Sequence, residues 1–120
     1  MPDLRPNPTL CLEYRAEQPI HHAFIQQASR CPAAIAIIGQ HTTCNYSQLE
    51  QISAGIAAFL VKNATSGTDR VVIVPRRSAA LVYAMLGCLR AGLAFTVADA
   101  AYPAARIEQI VNTLKPAVIL

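Results

Sequence analysis

Residues 65 to 69 read Thr65-Ser66-Gly67-Thr68-Asp69, a hydroxyl- and glycine-rich stretch of the kind that can cradle a phosphate. Such a cradle leaves a β-strand and uses glycine to bring successive backbone N–H groups close to the anion. Here the stretch leaves an apolar helical pattern and enters a strand pattern. It lacks a second glycine and a lysine, and Asp69 would repel phosphate. A plain connecting turn is the expectation. Cys31, His41 and Cys44 are zinc-ligand types, but their spacing fits no zinc pattern and a fourth ligand is missing, so packing and loop roles are expected. His21 and His22 are adjacent at a helix start and point to different faces, which suits neither a metal pair nor a catalytic dyad.

The ten Lys and Arg residues are scattered, and only Arg76 and Arg77 are adjacent. Phosphate tracking needs clustered cations, so a net charge of +3 does not point to nucleic acid, and this pair is expected to be a solvated loop pair. Asn45-Tyr46-Ser47 and Asn63-Ala64-Thr65 match glycosylation acceptors, but without a secretion signal they read as chance. Cys11, Cys31, Cys44 and Cys88 lack paired spacing, and the last three sit within or beside apolar segments where a reduced thiol packs as a small hydrophobe. A reducing, cytoplasmic compartment is expected. Met1 to Gln18 holds no apolar run, and no stretch reaches the roughly 18 apolar residues of a membrane span. Apolar residues make up 53% of the 120 and charged residues 14%, an oily balance for a small domain, so part of the apolar surface is expected to meet further protein.

The elements that position these residues alternate regularly. Four of the eight prolines fall in Met1 to Pro19, read as an extended leader. Ile20, Phe24, Ile25 and Ala28 recur at helical spacing over Ile20 to Arg30, and Pro32 stops that helix. Ala33 to Ile38 and Thr42 to Tyr46 flank Gly39-Gln40-His41 as a hairpin. Ser47 and Glu50 form a capping-box pair before a helix with Leu49, Ile52, Ile56, Phe59 and Leu60 on one face. Arg70 to Val74 is the continuous β-branched run of a strand buried on both faces. From Ser78 a helix places Leu81, Val82, Met85, Leu86 and Leu89 together and closes at a left-handed Gly92. Leu93 to Val97 reads as a central strand. After a turn at Tyr102-Pro103, a helix over Ala104 to Leu114 turns Ile107, Ile110, Val111 and Leu114 inward, and Ala117 to Leu120 begins a last strand. Strand, helix, strand, helix, strand predicts an α/β fold: a parallel sheet with crossover helices, an early β-hairpin, and a C-terminal edge left incomplete.

Pro19 to Leu120 resembles the adenylation domain of nonribosomal peptide synthetases, in the superfamily that includes acyl-CoA synthetases and luciferases. The helix from Ile20 to Arg30 running into Pro32-Ala33-Ala34-Ile35-Ala36 looks like the family's start, with its "TPDAVAL"-like strand. Asn45-Tyr46-Ser47-Gln48-Leu49 is similar to the first core motif, "TYxEL". Leu89-Arg90-Ala91-Gly92-Leu93-Ala94-Phe95-Thr96-Val97-Ala98-Asp99 looks like the second, "LKAGxAYVPLD", and Tyr102-Pro103-Ala104-Ala105-Arg106 matches the "YPxxR" that follows in peptide synthetases. Val97 and Ala100 stand where prolines are usual, and Asn45 where Thr or Ser is usual.

The resemblance implies the N-terminal part of the large adenylate-forming domain over residues 20–120. An intact parent would use ATP and Mg²⁺ to activate an amino or aryl acid and load a phosphopantetheine carrier protein, as an initiating module, a freestanding enzyme or a reductase. A coenzyme A ligase of the same fold is disfavoured by YPxxR, and a complete small interaction module is the non-enzymatic alternative. Both motifs are mainly structural in the family. The "TSGTTGxPKG" loop, the ribose-contacting aspartate and the lysine of the mobile C-terminal domain are absent from these 120 residues, so no catalytic, cofactor-binding or metal-binding residue is assigned and no turnover is expected.

Overall fold

The strand and helix patterns resolve, in a computed structural model describing residues 9, 17–64, 67–76 and 78–120, into nine elements. In order they are α1 (His22–Arg30), β1 (Ile35–Ile38), β2 (Thr43–Asn45), α2 (Tyr46–Asn63), β3 (Arg70–Ile73), α3 (Ala79–Arg90), β4 (Ala94–Val97), α4 (Ala104–Leu114) and β5 (Val118–Ile119). The expected leader lies mostly outside the described residues. Helix α1 begins two residues later than its apolar pattern, because His21 takes the N-cap position.

β1 and β2 pair antiparallel, as the hairpin pattern predicts, with a slip in register between Ile35 and Ile37. The hairpin is tied to α2 through its free amides: Tyr46 N–H donates to the Ala34 carbonyl at 3.0 Å and Ser47 N–H to the Pro32 carbonyl at 3.0 Å. The capping box of α2 is therefore not Ser47 with Glu50. β2 runs extended to Asn45, whose side-chain oxygen accepts from Gln48 N–H at 2.8 Å, while Gln48 Oε1 accepts from Asn45 N–H at 3.0 Å. Asparagine caps as well as the usual Ser or Thr, so that departure from the family pattern leaves the helix start intact.

β3 lies between β4 and β5, all three parallel, with Val71 opposite Phe95 and Val118. Val71, Val72 and Ile73 are fully buried, as a two-faced strand requires. Among the described residues β4 pairs with β3 alone, where its apolar run predicts a central strand: the crossovers through α3 and α4 place the two later strands on opposite sides of β3. Val71 and Ile73 meet Leu60 of α2 and Ala84 and Cys88 of α3 in the core cluster. Each fully buried aliphatic side chain there contributes about 1.5–3 kcal/mol.

The inward faces of α2 and α3 also differ from the apolar pattern. Ser53 is fully buried on α2 while Ile52 and Phe59 are exposed. On α3 the buried residues are the small ones, Ala84, Gly87 and Cys88, whereas Val82 is exposed and Leu81, Met85, Leu86 and Leu89 are half-buried. Close approach explains this. A Cβ on Gly87 would lie 2.7 Å from Ile56 Cβ, so glycine sets how near the helices come. Gly92 ends α3 in the left-handed region with φ 72°, as expected. Gly92 N–H donates to Leu89 C=O at 3.1 Å and Leu93 N–H to Cys88 C=O at 2.9 Å, the paired bonds of a Schellman turn.

Candidate functional site at the carboxyl ends of the strands

In open α/β sheets ligands gather outside the carboxyl ends of the strands, and a large hollow lies there. It is a groove of about 660 Å³ between α2 and the corner where β3 turns into α3. Ile52, Ile56 and Phe59 form one wall, and Ile73, Pro75 and Leu120 form floor and rim. Ile52 and Phe59 of α2, which fail to reach the core, thus line this groove, with Phe59 51% exposed. Among the described residues, Arg76 brings the one charge in the lining, and Ser78, at the N-cap of α3, makes no side-chain capping bond.

Among the described residues such a surface offers no nucleophile beside a base, no acid–base pair and no run of backbone amides turned on glycine. Among the described residues a phosphate would meet there one exposed guanidinium and the N-terminus of α3 over an aliphatic floor, without a glycine-rich loop. The shape and composition suit apolar packing instead. Behind the groove, Arg90 joins α3 to α2. Its guanidinium donates to Glu50 C=O at 2.9 Å, Ser53 Oγ at 3.0 Å and Glu50 Oε1 at 3.0 Å. Ser53 Oγ donates in turn to Glu50 C=O at 3.0 Å. Fully buried Ser53 is thereby satisfied, and the carboxylate that pairs with this cation is engaged in holding two helices.

The remaining chemistry-bearing residues are dispersed. Thr65 and Ser66 lie outside the described residues, but α2 precedes this stretch and β3 follows it, the order of a connecting turn. Gly67 has φ 89°, and Asp69 faces solvent with a long contact to Arg70 at 3.8 Å. Cys31 is exposed at the C-cap of α1, contrary to the packed role expected of it. His41 is exposed in the hairpin turn and Cys44 is buried in β2. Among the described residues no group of three or more His, Cys, Asp or Glu could hold a metal ion. Arg76 is exposed, and Arg77 lies outside the described residues. Cys88 is fully buried, and burial pushes its thiol up to about 11, leaving it an inert hydrophobe. Burial also raises the Tyr83 phenol, and the neighbouring Cys44 adds to that shift.

The residues that matter most here, Gly87 and Arg90, carry a faint signal in the sequence. Arg90 sits in the Leu-Arg-Ala-Gly segment, but its partners lie 37 and 40 residues earlier, beyond the reach of local spacing. No helix among the described residues is long and apolar enough to cross a membrane.

Residues 24–120 match the sequence model of the AMP-binding enzyme family. The nonribosomal peptide synthetase TES of Alternaria alternata is 33% identical over 102 residues, covering 85% of this chain and 2% of that protein. The AMB antimetabolite synthetase AmbB of Pseudomonas aeruginosa is 34% identical over 93 residues, covering 78% of this chain and 7% of that protein. The chain thus spans a few per cent of the length of these curated relatives. In fold, the N-terminal subdomain of Klebsiella oxytoca NpsA superposes with a TM-score of 0.75 at 22% identity, over 85% of this chain and 27% of that one. The nonribosomal peptide synthetase FmoA3, bound to α-methyl-L-serine-AMP, superposes with a TM-score of 0.80 at 24% identity, over 85% of this chain and 12% of that one. The chain belongs to the AMP-binding enzyme family, and its architecture is that of the N-terminal part of an adenylation domain of the nonribosomal peptide synthetase type.

Proposed function

We propose that this chain is the N-terminal scaffold of a domain that activates an amino or aryl acid with ATP and Mg²⁺ and passes it to the phosphopantetheine thiol of a carrier protein. In this reading the chain supplies packing surface and contributes no reacting group. One observation carries it: the side chains of the Leu89–Asp99 motif are engaged in structure. Arg90 clamps α2, Gly92 closes α3, Phe95 packs on the core, and Asp99 Oδ1 accepts from Ala101 N–H at 2.9 Å in the turn before α4. Adenylate formation needs a cluster of donors and cations around the triphosphate, and the positioning those groups provide is most of the acceleration. Among the described residues the groove at the strand ends has one cation, Arg76, and no such cluster, and its apolar walls suit a neighbouring part of an adenylation domain.

The amino-acid branch is favoured over coenzyme A ligases by Tyr102-Pro103-Ala104-Ala105-Arg106 and by the peptide synthetases among the relatives. The test is amino-acid-dependent ATP–pyrophosphate exchange in two forms of the protein. The 120-residue chain alone should give none. A chimera in which residues 24–120 replace the matching segment of a peptide synthetase adenylation domain should exchange. Turnover by the chain alone, or a folded chimera without exchange, would overturn the reading.

A further inference from the structure

We draw no further inference here: the strongest candidate, the apolar groove between α2 and the corner where β3 turns into α3, belongs to the site already described, and nothing among the described residues shows what covers it.

Discussion

Helices α3 and α4 each follow a strand, run to 12 and 11 residues and lead into the next strand of one sheet, yet they are held in different ways. α3 meets α2 along Ala84, Gly87 and Cys88, all buried, with Arg90 bonded across the seam. α4 carries the larger residues Ile107, Ile110, Val111 and Leu114 on its inner face, and none is fully buried. A tidy apolar stripe is thus not a measure of burial. Small side chains let two backbones close in and exclude water, whereas the large ones on α4 stay half exposed, with a hollow between that helix and Thr96 and Val97 of β4.

The comparison breaks most sharply at Gly87. Gly87→Leu places a branched side chain where Ile56 already stands and should cost about 3 kcal/mol or more in urea unfolding, unless paired with Ile56→Ala, which should restore part of the loss. Next comes Cys88. Its folded thiol lies at about 11 against an ordinary 9.0, so the native state holds its proton more tightly than the unfolded chain. The stability this contributes is complete below pH 9 and is lost as pH rises through about 11. The loss should be on the order of 2 kcal/mol, and in Cys88→Ala the alkaline slope should flatten.

Arg90→Met keeps the stem but removes the donors to Ser53 and Glu50. Glu50 is partly solvated, so the expected cost is about 1–2 kcal/mol, read from the midpoint shift in denaturant. The smallest effect belongs to α4. Ile110→Ala should cost about 1 kcal/mol or less, because the deleted atoms are only half removed from water. A loss at Ile110 equal to that at Gly87 would erase the distinction between the helices.

Much of the architecture was legible from residue pattern, and the reason differs by element. Val71-Val72-Ile73 reads as a buried strand because β-branched residues on both faces leave no polar side for water. Gly92 reads as a helix stop because its left-handed conformation is costly for any residue with a Cβ. What stayed hidden depended on partners distant in the chain. Two overlapping cap patterns, Asn45 with Gln48 and Ser47 with Glu50, look equivalent until Arg90 engages Glu50 and Pro32 accepts from Ser47. α3 is apolar around most of its circumference, so periodicity could not select the narrow face of small residues. Ser53 is a polar residue in an apolar helix, and its burial is tolerated because it donates to Glu50 C=O and accepts from Arg90 of another helix. That no reacting residue is assigned is an expectation drawn from the missing motifs, whereas the apolar groove became visible only when α2 turned Phe59 away from the core.

Native-state hydrogen exchange of the 120-residue chain tests most directly the claim that this is a scaffold organised on β3 with α2 and α3. The amides of Val71, Val72 and Ile73, with those of the α2–α3 seam, should exchange slowest and only through global unfolding, while α4 opens at distinctly lower free energy. Amides of α4 as slow as those of β3, or no slow amides at Val71 to Ile73, would contradict it.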